Sequence, residues 1–452
     1  MKKLSVAVLS IFLLISILAG CTTPAPAPTA APAPVEATAP EAKPTDAPAP
    51  AEPEKPAAPA EPVEITMWHT LAEHHQAALD KIIEDFNNSQ SEVKMTSIAQ
   101  PYQDFWAKVM QAVRNGTGPD LVGSFPTEAA NYLADDLLVD FAPFINDPEI
   151  GIPNFKESLS GELYGEITQW DPDKIYLFPA ISTSEVLFYN KTMFDELGLE
   201  APKTWADVEN YSKVIREKKG IPGFGTDSAI DTWQGLVKQA GGDYIDPVTK
   251  TVKFNDEIGL KQLTWFADNV KAGNFRLVGE DYYFSNPFGS EAVGSYIGSS
   301  AGVQYVMDAV GGKFEVGCVP IPQEGTVPYI SSWGTGYMAF KTTEEKAQAA
   351  YKFLRFFTEP ERVAGWAIAF GAIPAYKEAR ELPVYQDYLE TNIAAKALYE
   401  QIDRISFLSS IPGSAAVRTH IDRMIQEAAM GVLEPKAALD AAEVASNADL
   451  QQ

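Results

Sequence analysis

From residue 63 to residue 452 the chain alternates between strand-like and helix-like segments, and this alternation restricts the folds open to it. Val63, Ile65 and Met67 alternate with polar neighbours as in a strand, whereas Leu79, Ile82, Ile83 and Phe86 then recur with the period of one helical face. A second helical stripe, Phe105, Val109, Ala112 and Val113, stops at Asn115 and Gly116. Residues 120–125 read as a short strand, and Ala130, Leu133, Ala134 and Leu137 mark a third helix. Two apolar runs, 175–181 and 186–189, are placed to carry the chain from one lobe to the next. Thr204 stands as an N-cap before a helix bearing Trp205, Val208, Tyr211, Val214 and Ile215, which Gly220 ends. Helical stripes return over 260–270, 303–310 and 347–357, and strands over 314–319 and 337–340. An α/β protein with largely parallel sheets is expected. Its length calls for two lobes, because single cores stop growing near about 250–300 residues.

The segment before residue 63 is of another kind. Lys2 and Lys3 precede an apolar run over 4–18, and Leu18, Ala19 and Gly20 stand immediately before Cys21. A positive start, a short apolar core and a small-residue site describe an export signal over 1–20, too short for a lasting membrane span. The Leu-Ala-Gly-Cys run resembles the bacterial lipoprotein motif, which implies that Cys21 is lipidated and anchors the chain to the membrane. Residues 21–62 are almost entirely Ala, Pro, Glu and Thr, with no apolar face to bury, and are expected to form a disordered, extended linker. No later segment is long and apolar enough to cross a bilayer. A net charge of −26 argues against nucleic acid, which rewards clustered Lys and Arg. The chain's other cysteine is Cys318, so an internal disulfide in the body and a Cys-based metal site are both excluded.

The order of elements over nearly the whole body resembles the extracellular solute-binding proteins that include maltose-binding and glycerol-3-phosphate-binding proteins. The stretches that carry the likeness are Ile65 to Thr70, Gly118-Pro119-Asp120-Leu121, and Phe188-Tyr189-Asn190-Lys191 followed by Phe194, Gly198 and Pro202 to Trp205. Later come Ser332-Trp333-Gly334-Thr335-Gly336, the helix reaching Phe353 and Phe356, and Gly371-Ala372-Ile373-Pro374. The resemblance implies a two-lobed periplasmic-binding fold of maltose-binding-protein type, with the ligand in the cleft between lobes. It places residues 63–181 and 329–371 in the first lobe and 184–328 and 372–452 in the second. It also implies a monomeric, non-enzymatic protein on the outer face of the cell membrane, or in the periplasm where an outer membrane exists. Such a protein needs no cofactor, captures a carbohydrate or, as the alternative, glycerol 3-phosphate or a glycerophosphodiester, and delivers it to the transmembrane permease of an ABC importer.

A sugar-type cleft calls for aromatic faces and a few fixed polar groups. Trp68 and His69 end the first strand, and Trp-His-Thr points to the glycerol phosphate branch of the family. Tyr102 and Trp233 match ligand-touching aromatics of the family, the latter as a platform in the second lobe. Trp333, Gly334 and Tyr337 combine aromatic and small residues in the manner of a binding loop. Ser182 and Thr183, with Ser184, stand at the lobe crossing. Ser299 and Ser300 precede a helix whose free N–H groups suit a phosphate or hydroxyl, and Arg418 resembles a family arginine able to fork onto a phosphate. Where glycerol-3-phosphate binders carry a glutamate after the second strand, this chain has Pro126. Glu128 is the nearest substitute, and Asp120 and Glu185 are further carboxylates for a neutral sugar.

Two motifs point to rival chemistries. Gly298, Ser300 and Gly302 fit the nucleophile-elbow pattern, which with His420 makes a secreted serine hydrolase the alternative class, although no Gly-rich oxyanion loop accompanies it. His69, His74 and His75 cluster with Glu73 but lack the i, i+4 spacing of a helical zinc site, so no metal is expected and His74 and His75 are assigned to an exposed helix face.

Overall fold

The structure is a computed structural model that describes residues 61–71 and 73–451. The chain divides into units Met1–Ala58 and Pro59–Gln452, and the described residues all lie in the second. The expected export signal, Cys21 and the linker through residue 60 therefore lie outside the described residues, as do the side chains of Glu73 and His74.

The unit Pro59–Gln452 is built on two sheets. Strands β1 (Val63–His69), β2 (Val93–Ala99), β3 (Leu121–Ser124) and β4 (Phe178–Thr183) begin the first. A single residue, Ser184, separates β4 from β5 (Glu185–Asn190), which enters the second sheet with β6 (Phe224–Thr226). A two-stranded hairpin, β7 (Ile245–Asp246) and β8 (Thr251–Val252), precedes β9 (Phe275–Leu277), β10 (Ser295–Ser299) and β11 (Val316–Val319). The chain returns through β12 (Ile330–Ser331) to β13 (Trp333–Ala339) and β14 (Ile373–Pro374), and β15 (Ile405–Ser406) pairs with β12. The sheet orders are β14-β4-β13-β3-β1-β2 and β11-β5-β10-β6-β9.

Each sheet is mixed rather than largely parallel. The β1–β2, β1–β3, β10–β6 and β6–β9 pairs are parallel, but every pairing of β4, β5, β11, β13 and β14 within these sheets is antiparallel. The physical reason is connectivity: strands that leave one body and re-enter it run against those joined by helical crossovers.

Local chemistry accounts for the helices that frame this plan. Leu79, Ile82, Ile83 and Phe86 on helix Glu73–Ser89 are buried in the first core. Thr204 caps helix Trp205–Lys219 in a reciprocal box with Asp207, and Gly220 closes it at φ 74, a conformation in which a side chain would be strained. The first core joins β1–β4 and β13 to helices Glu344–Phe357 and Pro360–Phe370. The second joins β5, β6 and β10 to helices Glu257–Lys271, Ser414–Ala429 and Pro435–Leu450.

One expected boundary is corrected. The resemblance places residues 372–391 in the second lobe, yet β14 pairs with β4, and Ala375, Tyr376, Ala379, Tyr385 and Leu389 belong to the first core. The chain passes over near Asn392, which caps helix Ile393–Tyr399 with bonds from Ala394 N and Ala395 N. Apolar content alone could not locate that passage, because both sides of it are equally apolar.

Candidate ligand cleft

Where β13 leaves the crossing, Trp333 reaches a cavity of about 60 Å³ between the two bodies. Phe125, Pro126, Thr127 and Glu166 line it from the first body, and Asp231, Tyr244, Ser409, Ser410 and Arg418 from the second. Phe125 meets the Trp333 ring edge-to-face at 5.6 Å and 86°. Arg418, on helix Ser414–Ala429, forks onto Asp231 with two 2.9 Å bonds and stands 5.0 Å from the Trp333 ring centre. The bodies also touch directly, for Trp170 Nε1 donates to Ser410 O at 2.6 Å and Ser410 N donates to Gln169 Oε1 at 2.7 Å.

Carboxyl groups dominate the surroundings. Burial pushes Glu166 up to about 7 against the 2.9 Å bond it accepts from Ser332 Oγ. Gly334 makes room for it: a Cβ there would lie 2.5 Å from Glu166 Oε2. Asp227 is likewise raised by burial to about 7, although Phe284 N donates to it at 2.6 Å. Glu185 is raised well above the carboxylate range by burial and then by the charges of Asp231 and Asp227, with Arg418 opposing. Burial works against the Arg418 cation, but Asp231 more than offsets this and keeps it charged. The site thus offers aromatic plates, one committed cation and several carboxyls able to bond hydroxyls, which is equipment for recognition.

The structure distributes the sequence candidates over several places. Trp333 and Arg418 meet in the cleft, whereas Ser182 lines a separate cavity of about 360 Å³ at the crossing with Glu166, Ser332 and Arg380. Thr183 Oγ1 donates to Trp333 O at 3.2 Å, and Ser184 Oγ donates to Ser331 O at 2.6 Å, so both hydroxyls tie the crossing together. Tyr102, 74% exposed, shares a third cavity of about 170 Å³ with His69 and the buried Tyr337. Tyr283 of the second body stands near Tyr102, and Asp227 and Tyr305 lie near Tyr283 in turn.

Other candidates fall elsewhere. Trp233 is not a platform: it is 0% exposed and meets Phe254 edge-to-face in the second core, because helix Ala229–Gln239 is covered on nearly every side. Trp68 is on the opposite face of β1 from His69, beneath Lys108. Glu128 is raised by burial and bonds Asn131 rather than lining the cleft cavity. Asp120 is a structural carboxylate held by Lys346 and Thr66 N. Ser299 spends its hydroxyl on Ala301 N, and Ser300 is buried with no partner for its hydroxyl among the described residues. His420 bonds Asp449, so no Ser300–His420 dyad forms. His75 is stacked on Phe370 at 3.9 Å and 12° instead of standing on an open face. Glu166, Asp227 and Phe125 were missed as candidates; Phe125 immediately before Pro126 at the end of a strand was the available signal.

Residues 81–392 match the family of bacterial extracellular solute-binding proteins. The chain belongs to that family. It is a substrate-binding protein and not an enzyme. The sn-glycerol-3-phosphate-binding periplasmic protein of Pectobacterium atrosepticum is 23% identical over 413 residues, covering 86% of this chain and 91% of that protein. Its counterpart in Salmonella typhimurium is 24% identical over 402 residues, covering 84% and 90%. Among solved structures, the cyclic alpha-maltosyl-1,6-maltose binding protein of Arthrobacter globiformis has a TM-score of 0.74 at 24% identity, covering 86% of this chain and 99% of that one. UgpB of Mycobacterium tuberculosis, in complex with glycerophosphocholine, has a TM-score of 0.74 at 17% identity, covering 86% and 98%. These structures share the two-lobed fold. Among the described residues no helix is long and apolar enough to cross a membrane.

Proposed function

We propose that this solute-binding protein captures a neutral carbohydrate between its two bodies and delivers it to the permease of an ABC importer. The observation that carries this reading is the state of Arg418. Among the described residues it is the sole cation lining the cleft cavity, and both of its bonds to Asp231 are already made. A phosphate arriving there would compete with a buried carboxylate and face Glu166 and Glu185 nearby, whereas sugar hydroxyls can bond those same carboxyls and a ring face can stack on Trp333. The carbohydrate-binding relatives of the same fold support this reading. The glycerol phosphate reading has its own support in the names of the curated relatives and in the presence of an arginine at this place. Anchoring through a lipid on Cys21, and action as a monomer, complete the proposal; the Leu18 to Cys21 run supports the first.

Isothermal titration with neutral mono- and oligosaccharides, sn-glycerol 3-phosphate and glycerophosphocholine separates the two readings. Micromolar or tighter binding of a neutral sugar is expected. Binding confined to the phosphate-bearing ligands would overturn the carbohydrate assignment.

A further inference from the structure

The third cavity lies inside the first body and has a different chemistry from the cleft. Its walls include Phe105, Trp106, Tyr337, Trp366 and Phe370, and Phe125 forms part of both its wall and that of the cleft. Its volume is about 170 Å³, while an apolar cavity of about 150 Å³ accepts a benzene molecule. Two polar atoms among these rings lack an acceptor. His69 Nδ1 accepts from Leu71 N at 3.2 Å, so in the neutral ring the proton sits on Nε2. Burial favours that neutral form. Neither His69 Nε2 nor Trp366 Nε1 finds a hydrogen-bond partner among the described residues, although both side chains are at least nine-tenths buried. Buried N–H donors without acceptors are rare and costly, and two in the wall of one cavity point to an oxygen supplied from outside the protein.

We propose that this cavity is a subsite for the aglycone of a glycoside, a compact aromatic group of benzene size linked through an acceptor oxygen, with the sugar lying in the adjoining cleft. The term aglycone rests on the carbohydrate reading; the preference for an oxygen-bearing aromatic rests on the cavity alone. Tyr102 stands at the exposed rim, so the group enters from the cleft side and not through the core.

The test uses the full chain and two kinds of probe. Fluorine NMR titration with 4-fluorophenol, in the absence of sugar, is expected to show saturable binding, with fluorobenzene at least about fivefold weaker for want of an acceptor. Gly123→Leu is expected to abolish 4-fluorophenol binding, since a Cβ at Gly123 points at the Tyr337 ring 3.5 Å away without clashing. Trp366→Phe, which keeps an aromatic wall and deletes one donor, should narrow the preference for the phenol over fluorobenzene. For whichever sugar the cleft accepts, the phenyl glycoside should bind at least about tenfold more tightly than the methyl glycoside, and Gly123→Leu should remove that gain while sparing the methyl glycoside. Failure of 4-fluorophenol to bind, or binding indifferent to Gly123→Leu, overturns the subsite. A phenyl glycoside no tighter than the methyl one overturns the aglycone assignment. Bound 4-fluorophenol with no carbohydrate bound at all defeats the carbohydrate reading instead, and leaves a site for a free phenolic solute.

Discussion

At the scale of single residues, Trp333 does more than its neighbours. Its ring is met by Phe125 from one side and approached by the Arg418 guanidinium, so it is held in place before a ligand arrives. A preplaced aromatic plate costs little ordering entropy on binding. Trp333→Ala is therefore expected to weaken carbohydrate affinity at least about tenfold, or roughly 1.4 kcal/mol, by calorimetry. Glu166 gives a prediction in pH. Its folded value of about 7 lies above the ordinary carboxylate range, so between the two the folded state holds more protons than the unfolded one. Stability then falls as pH rises through that window and levels off above about 7. Glu166→Gln cannot ionise, and the loss of Tm between pH 5 and pH 8 should be smaller in the variant than in the parent chain. An equal loss in both would show that Glu166 does not titrate there.

At the scale of elements, the helix that carries Trp233 decides its role. Trp233 sits among Asp231, Thr232, Gln234 and Gly235, a composition that in a surface loop would mark a binding site. In helix Ala229–Gln239 those polar groups have internal work: Asp231 holds Arg418, and Thr232 bonds Thr226 at 2.8 Å. Polar residues that satisfy one another can be buried as completely as apolar ones. Trp233→Ala should accordingly cost stability, about 3–5 kcal/mol in urea unfolding, while the folded fraction keeps its affinity. A selective loss of affinity at full stability would restore Trp233 to the site. Much of the element plan, by contrast, was legible. The Thr204 cap, the stop at Gly220 and the apolar stripe of helix Glu73–Ser89 follow from local spacing alone, and local spacing is what fixes them. Strand direction was not legible, because β4 and β13 read alike whether their neighbours run with them or against them.

At the scale of the whole molecule, the described chain passes between the bodies at Ser184, at Ser332 and near Asn392. Such short crossings allow rotation about a hinge with little change inside either core. Small-angle scattering is expected to show a smaller radius of gyration at saturating carbohydrate than without it; an unchanged radius would mean that the bodies do not close on this ligand.

The sequence by itself determined the class of fold, the two-lobed plan and the family, because periodic burial and short motifs are local properties that survive without coordinates. It also placed Trp333 and Arg418 among the candidates. Only the tertiary structure decided which of the candidates meet. Arg418 and Asp231 are separated by most of the second body in sequence, and Phe125 and Trp333 by most of the chain's middle, yet each pair is in contact. Whether a cation is free or committed, and whether an N–H has an acceptor, depends on partners brought from afar by packing, and no local pattern encodes them.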